Sequence, residues 1–181
     1  VVGYTGTVGV ANDIEYFCES MKYVKIDNII FVIVGNGQEK GYLVKKYGYL
    51  DNMLFIDFLD KKQVQSMLDL FDVCYIGWRN KSIYKYGIAA NKIFDYMYSG
   101  KPILHSYSGG GDLVVSANCG VSVKAGRPQS IANKVLELYN MSKEKRENLG
   151  ENGKKYVLEN FTYEKLAQKY EALFWQMKYK I

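Results

Sequence analysis

Hydrophobic and polar positions follow two alternating patterns along this chain. Short, continuous apolar runs, which are typical of parallel strands covered on both faces, occur at Val1–Tyr4, Ile29–Val34, Met53–Ile56, Val73–Ile76, Ile103–Leu104 and Val121–Val123. Between these runs the apolar residues recur at helical spacing. Strands that alternate with helices in this way predict βαβ units. We therefore predict an α/β fold, a Rossmann-like, doubly wound and mainly parallel sheet flanked by helices.

Helices are predicted between these strands and after the last one. The first carries the stripe Ile14, Phe17, Cys18, Met21 and Val24, and the third carries Val64, Met67, Leu68 and Phe71. The remaining predicted helices are Glu39–Tyr47, Ala90–Ser99, Gln129–Tyr139, Lys143–Glu159 and Tyr163–Lys178, the last with Thr162 as its N-cap. We expect one domain over residues 1–181, in which residues 143–181 form extra C-terminal helices.

Composition and charge narrow the functional classes. Hydrophobic residues make up 48% and charged residues 24% of the chain, as expected of a globular domain. The net charge is +5, but Lys and Arg are interspersed with acids instead of forming a basic stripe, which argues against a nucleic-acid partner. An anionic small ligand or an anionic membrane surface remains compatible. No apolar run approaches the roughly 18 residues of a membrane span.

The cysteines indicate the redox compartment of the protein, and the first residues indicate whether the chain is part of a longer one. Cys18, Cys74 and Cys119 are odd in number and lie among apolar residues, which favours buried, reduced thiols in a cytoplasmic protein. The chain opens at Val1 directly in a β-rich run, without an initiator Met. We therefore expect it to be part of a longer protein.

Ligands of doubly wound sheets bind beyond the carboxyl ends of the strands. Several loops at that edge are glycine-rich, as is typical where backbone amides approach a phosphate. Gly3, Gly6 and Gly9 also have a spacing that suggests a dinucleotide-dependent dehydrogenase. Such a site needs an acidic residue after the second strand, and the sequence there is Gly35-Asn36-Gly37. The dehydrogenase is therefore disfavoured.

The most informative stretch is 87–104, GIAANKIFDYMYSGKPIL. It predicts a loop, a helix with Lys92 in its first turn, and a Gly-Lys-Pro stop before the next strand. A diphosphate at this helix N-terminus would meet both the helix dipole and an ammonium group. Asp95, one turn further along, could accept hydrogen bonds from two adjacent ribose hydroxyls.

This stretch resembles the signature of glycosyltransferase family 4. It is most similar to the branch that reads Asn-Lys-(Ile/Leu)-Phe-(Glu/Asp)-Tyr-Met-x-x-Gly-Lys-Pro, in enzymes that build capsule and lipopolysaccharide O-antigen. Five other features occur in the same order as in that family. They are a Tyr-x-Gly turn, a Val-Gly-x-Gly after the second strand, Phe58-Leu59, a Ser-Gly-Gly-Gly-Asp loop and a Cys-Gly-Val strand. The resemblance covers essentially the whole chain.

The resemblance implies the C-terminal, nucleotide-sugar-binding domain of a GT-B enzyme whose N-terminal acceptor domain is absent from this chain. Such an enzyme transfers a sugar, with retention, from a nucleoside diphosphate sugar to a cell-surface polysaccharide precursor. A UDP-sugar is the donor we expect, and no cofactor or metal is implied. The isolated domain is predicted to transfer nothing, because the acceptor site lies on the other domain.

Donor contacts can be assigned by position within the resemblance. Gly6 and Thr7 would approach the phosphates or the acceptor cleft, Gly35, Asn36 and Gly37 would border the nucleotide, and the backbone of Phe58 and Leu59 would meet the base. Ala90, Asn91, Lys92 and Ile93 would hold the diphosphate, and Asp95 the ribose. Gly109, Gly110, Gly111 and Asp112 would flank the sugar. No catalytic residue is assigned.

Two positions depart from the family pattern. Gly87 stands where the family has its first glutamate, and Ala11-Asn12-Asp13 and Glu15 stand where an Arg and a Lys usually stabilise the leaving diphosphate. The candidates to supply that charge are Lys92, Arg79, Lys81 and Lys85. In the same region Tyr84 and Tyr86 could touch the donor, and His105 is expected to be a solvated or packed side chain and not a catalytic one.

Two other functions stay open from the sequence: half of a GT-B nucleotide-sugar 2-epimerase, and a non-catalytic nucleotide-binding module. The expected partners are a nucleotide sugar, the missing N-terminal domain, and an anionic membrane at the inner face of the plasma membrane or a lipid-linked acceptor there. The last helix bears an apolar stripe, which we expect to pack toward the missing domain and to be partly exposed here: Leu166, Tyr170, Leu173, Phe174 and Met177.

Overall fold

Six parallel strands form a single sheet in the order β3–β2–β1–β4–β5–β6. The computed structural model of the chain describes residues 1–88 and 90–178. Its strands are β1 Val2–Thr5, β2 Phe31–Val34, β3 Met53–Ile56, β4 Val73–Gly77, β5 Ile103–Ser106 and β6 Gly120–Val123. The central strand β1 pairs with β2 on one side and with β4 on the other, so the strand order reverses there. The predicted doubly wound parallel sheet is confirmed.

Helices cover both faces of the sheet. They are α1 Ile14–Ser20, α2 Lys40–Tyr47, α3 Val64–Asp69, α4 Asn91–Tyr98, α5 Leu113–Ser116, α6 Pro128–Asn140, α7 Lys143–Asn160 and α8 Tyr163–Lys178. Short 3-10 turns lie at Val10–Asn12, Met21–Tyr23, Lys61–Gln63 and Ser82–Tyr86. The first predicted stripe ran to Val24, but the α-helix ends at Ser20 and continues as a 3-10 turn. The one-turn helix α5 was not predicted. Ala89, in the predicted loop that opens the stretch 87–104, and residues 179–181 lie outside the described ranges.

The core has two layers, one on each face of the sheet. On the first face, Phe17 of α1 stacks on Tyr75 of β4 with ring centroids 4.1 Å apart. On the second face, Tyr96 and Met97 of α4 are fully buried. All three cysteines are buried and free, as predicted. Burial raises the pKa of Cys74 and Cys119 to about 12, which leaves these thiols unreactive.

The position of α4 is fixed from behind by α7, through two glycines that allow close approach. A Cβ on Gly150 would lie 1.8 Å from the carbonyl oxygen of Gly100, which follows α4. A Cβ on Gly153 would lie 2.9 Å from Cβ of Cys119. Because α4 is held in this way, its N-terminus is fixed at the carboxyl edge of the sheet.

The last helix, α8, is the least covered element. Its N-terminus is capped as predicted, because the Lys165 amide donates to Oγ1 of Thr162 over 3.3 Å. Tyr170, Phe174 and Met177 are each more than 60% exposed, which confirms the predicted exposure of the apolar stripe. Within the described ranges, no helix combines the length and apolar character that crossing a bilayer requires.

Candidate functional site

A cleft of about 460 Å³ opens beyond the carboxyl ends of β1 and β2, beside the N-terminus of α4. Nine residues predicted to contact a donor line it: Gly6, Thr7, Gly35, Asn36, Phe58, Leu59, Asn91, Lys92 and Asp95. Five lining residues were not among those predictions: Thr5, Asn12, Val34, Lys61 and Val64. The cleft therefore lies where ligands of doubly wound sheets bind.

The loops after β1 and β2 form one wall of the cleft and pack against each other through glycine. The Gly6 amide donates to the carbonyl of Val34 over 2.9 Å. Gly35 has φ +138°, and a Cβ there would lie 1.9 Å from the Gly6 carbonyl oxygen, so no other residue fits. Gly37 is used differently from the prediction: it lies against the backbone of Val8, where a Cβ would be 2.2 Å from the carbonyl oxygen, and it does not line the cleft.

The first turn of α4 points toward the cleft. The first amides of a helix have no intrahelical acceptor, and Ala90, which precedes α4 in extended conformation, provides no side-chain cap for those of Asn91 and Lys92. Ile93, the third residue of α4, faces away from the cleft. Its amide donates to the Ala90 carbonyl over 3.0 Å and its side chain is buried in the core, because the helix turns the third residue inward. Asn91 and Lys92 line the cleft, and Ala90 does not.

The Lys92 side chain extends from α4 back to β1. Its Nζ donates to Oη of Tyr4 over 2.6 Å and to Oδ1 of Asn12 over 3.1 Å, and it lies 4.3 Å from the centre of the Tyr4 ring. Burial lowers the pKa of Lys92 to about 8. No carboxylate among the described residues pairs with this ammonium, although burying a charge without a counter-ion is unfavourable.

A carboxylate and a second lysine lie further along the cleft. Burial raises the pKa of the half-buried Asp95, and the nearby Lys61 ammonium partly opposes that rise. Lys61 begins the 3-10 turn after β3, where Asp60 and Gln63 cap each other reciprocally. The sequence contained the relevant signal, since two lysines open this turn directly after Phe58 and Leu59. Only the fold brings Lys61 close to Asp95.

The glycine-rich loop predicted to flank the sugar does not line the cleft. Gly109 and Gly110 pack against the turn Ser82–Tyr86. A Cβ on Gly109 would lie 2.3 Å from the carbonyl oxygen of Tyr84, and one on Gly110 would lie 2.4 Å from that of Lys85. Gly111, with φ +64°, has open space at its Cβ position. This loop is therefore held by backbone packing at two of its three glycines.

Asp112 is engaged within the fold instead of facing the cleft. It caps α5, and its carboxylate accepts from the Val114 amide over 2.9 Å and from Oγ of Ser122 over 2.6 Å. Nδ1 of His105 lies 2.9 Å away. Burial alone would raise the pKa of Asp112, but these hydrogen bonds outweigh it and lower that pKa to about 2. His105 is buried and stacks on Tyr107 at 4.8 Å, so of the two predicted alternatives it is packed and not solvated.

Of the four candidates for the missing charge, only Lys92 lines the cleft. Arg79 lies 3.5 Å from Glu39 and 3.8 Å from Asp13, so nearby carboxylates already neutralise it. Lys85 lies over the ring of Tyr86, and Lys81 is exposed outside the cleft. Gly87, with φ +100°, brings no side chain to the site. Tyr84 and Tyr86 do not line the cleft either.

The cleft thus offers three kinds of contact, one after another along its length. Val34, Leu59 and Val64 are apolar, Asp95 is an acceptor of hydrogen bonds, and Lys92 with the first turn of α4 provides positive charge. This arrangement suits an elongated ligand with a flat or apolar end, hydroxyls in its middle and an anionic group at its other end. Within the described ranges, no group of three or more His, Cys, Asp or Glu side chains could hold a metal ion.

Comparison with known proteins identifies a family and a curated relative that match most of the chain. The family model described as "Glycosyl transferases group 1" matches residues 1–156. An uncharacterized glycosyltransferase of Methanocaldococcus jannaschii is 30% identical over 169 residues, which cover 92% of this chain and 41% of that protein.

Two solved structures show the same fold. The Anabaena protein HepE, in complex with UDP-glucose, has a TM-score of 0.79 and 14% identity, with 97% of this chain and 48% of that one covered. The C-terminal domain of a group 1 glycosyl transferase protein, LpcC, from Francisella tularensis has a TM-score of 0.72 and 18% identity, with 90% and 86% covered. The chain thus spans less than half the length of its curated relative and of HepE.

Proposed function

This chain belongs to the group 1 glycosyltransferases, and from that premise we propose that it is the donor-binding domain of a retaining glycosyltransferase. The donor is a nucleoside diphosphate sugar, with UDP as the nucleotide we expect, and the acceptor is a cell-surface polysaccharide precursor. The observation that carries this proposal is the partly buried Lys92 ammonium, which lacks an anionic partner among the described residues and lies beside the N-terminus of α4.

The diphosphate of the donor is the anion that fits this position. A phosphate here accepts hydrogen bonds from the first amides of α4 and from Nζ of Lys92, and the helix dipole favours its charge. Its arrival supplies the counter-ion that the buried ammonium lacks. When the bond between the sugar and the diphosphate breaks, the same groups stabilise the charge that develops on the leaving group. A preorganised site of this kind contributes several kcal/mol to transition-state stabilisation.

The nucleoside lies on the other side of the diphosphate. Asp95 is one helical turn from Lys92, which suits bidentate hydrogen bonding to the two ribose hydroxyls. The base extends toward the apolar side chains and the backbone of Phe58 and Leu59, which line the same cleft. HepE was solved with UDP-glucose, and its likeness in fold supports a uridine nucleotide as the first ligand to test.

The acceptor site and part of the catalytic machinery are proposed to lie on an N-terminal domain. The lengths of the relatives support this, because the chain spans 41% of the Methanocaldococcus protein and 48% of HepE. The exposed apolar side chains of α8 are the surface we propose to pack on that domain. It follows that the chain alone transfers no sugar, since reactants must be held together by both domains. Contact of the lysine-bearing C-terminal helices with an anionic membrane stays a prediction.

Calorimetric titration of the chain with UDP, GDP and ADP tests the proposal. We expect at least one of them to bind with a dissociation constant below millimolar. Asp95→Ala should lose most of that affinity while keeping the fold, as measured by circular dichroism. The matched control is Asp51→Ala, in an exposed turn away from the cleft. Failure of all three nucleotides to bind, or equal binding by Asp95→Ala and the wild type, would contradict the proposal.

A further inference from the structure

We propose that Tyr4 and Asn12 are positioning residues for the donor diphosphate: together they hold the Lys92 ammonium above Gly6 and aim it into the cleft. The loop after β1 contains no basic residue, and in this arrangement it acquires a positive charge from α4, 80 residues further along the chain. The inference rests on the proposed function of the cleft as a nucleoside diphosphate site.

The hydrogen-bond directions around Thr7 fix the orientation of both positioning residues. The Thr7 carbonyl accepts from Oη of Tyr4 over 2.7 Å and from Nδ2 of Asn12 over 2.9 Å. A tyrosine hydroxyl has one hydrogen, so Tyr4 can only accept from Lys92. The Asn12 amide likewise donates to Thr7 and leaves its oxygen for the ammonium. The opposite orientation of that amide would place its NH₂ group against the ammonium.

The environment of Nζ leaves one side of the ammonium open. Lysine has three N–H groups, and among the described residues only Tyr4 and Asn12 accept from Lys92. A Cβ on Gly6 would lie 3.0 Å from Nζ, so a glycine at this position keeps that side uncovered. The two acceptors are neutral, and they therefore direct the charge without cancelling it. An anion that enters beside Gly6 meets an ammonium already in place.

The other titratable groups near Lys92 leave this assignment intact. Burial raises the pKa of Tyr4 and of Tyr96 from α4, so both hydroxyls stay protonated. Lys61 and Asp95 line the same cleft, but neither is bonded to Lys92. Tyr96 in turn donates to and accepts from the backbone of Thr5, which fixes α4 against the end of β1. The distance that Lys92 spans is therefore set by rigid elements.

The test compares four variants and one control variant for binding of inorganic pyrophosphate and of UDP by calorimetry. Lys92→Met should weaken both ligands by about 10- to 100-fold, the effect of removing a hydrogen bond to a charged group. Asn12→Ala and Tyr4→Phe should each weaken them by about 3- to 10-fold. The double variant Asn12→Lys with Lys92→Met should recover most of the affinity that Lys92→Met loses, because it returns an ammonium to the same place. Asn133→Ala, on α6 outside the cleft, is the control.

A ligand-free readout separates this inference from the proposed function. In NMR spectra of the lysine Cε groups, the Lys92 signal is the one missing from Lys92→Met, and it should move in Asn12→Ala and in Tyr4→Phe. An unmoved signal, or a double variant no better than Lys92→Met, overturns the positioning role. A moved signal together with a wild-type chain that binds neither pyrophosphate nor any of UDP, GDP and ADP overturns the proposed function, and with it the role toward a diphosphate.

Discussion

Replacing Lys92 by methionine removes a charge that burial disfavours, and its effect on stability should depend on pH. Burial lowers the pKa of Lys92 from 10.5 to about 8. Below pH 8 the lysine is protonated in both the folded and the unfolded chain, and the cost of burying the charge is fully present. Between pH 8 and 10.5 the folded chain has lost the proton that the unfolded chain keeps. The free energy of unfolding of the wild type should therefore rise with pH in this range.

The magnitude follows from the two pKa values. One pH unit corresponds to about 1.4 kcal/mol, so the whole difference amounts to about 3 kcal/mol. About 2.5 kcal/mol of this falls between pH 7 and pH 10, when the protonated fractions of the two states are weighed at each pH. Lys92→Met also loses two hydrogen bonds and some packing. Those losses contribute about equally at every pH, so they drop out when the difference between wild type and variant is compared across pH.

Urea unfolding followed by circular dichroism at pH 7, 8, 9 and 10 measures this difference. Relative to Lys92→Met, the wild type should gain about 2.5 kcal/mol from pH 7 to pH 10. Equal slopes of the free energy against urea for the two proteins would show that both unfold to the same extent. A difference that stays constant within about 0.5 kcal/mol would refute the reasoning. Lys92 would then be an ordinary solvated lysine, with no need for an anionic ligand.

Two further substitutions, Asp112→Asn and Gly35→Ala, test contacts that hold the fold together, and Gly41→Ala is a control for the second. Asp112→Asn should lower the free energy of unfolding by about 2 kcal/mol at pH 7. The ionised Asp112 carboxylate stabilises the fold above pH 4, and this stabilisation disappears as pH falls through about 2. The difference in the free energy of unfolding between wild type and Asp112→Asn should therefore shrink toward pH 2. Urea titrations that show the same difference at every pH would contradict the assigned hydrogen bonds. Gly35→Ala should cost about 3 kcal/mol or more, because of its positive φ and its contact with the Gly6 carbonyl. Gly41→Ala, in α2 with open space around it, should instead stabilise by up to about 1 kcal/mol. Equal melting temperatures for these two glycine variants would show that the β1 and β2 loops can separate.

Much of the fold is predictable because buried strands and helices each require a local pattern of apolar residues in the sequence. The strand Met53–Ile56 and the helix Tyr163–Lys178 have the predicted bounds, since an apolar run and a helical stripe each mark them. Helix α5 is a single turn, which is too short to show a period. The break after Ser20 is equally invisible, because an α-helix and a 3-10 turn share nearly the same spacing of apolar residues.

The site is predictable where one element supplies it and less so where distant elements meet. Lys92 and Asp95 lie one turn apart on α4, so their common orientation follows from helical geometry. The position of a residue in a motif does not tell whether it faces the ligand or a neighbouring loop, which is why Gly37 and Asp112 were assigned to the donor but pack within the fold. Asn12 joins Lys92 only through the pairing of β1 with its neighbours, and no local pattern encodes that contact.

Titration of an isotope-labelled chain with UDP, followed through its backbone amide NMR signals, tests most directly whether the cleft holds a nucleoside diphosphate. The largest changes should occur at Gly6, Asn91, Lys92 and Asp95, and they should saturate below millimolar UDP. Signals that stay unchanged at millimolar UDP, or changes confined to a distant surface such as that around Arg127, would contradict the assignment of this cleft as the donor site.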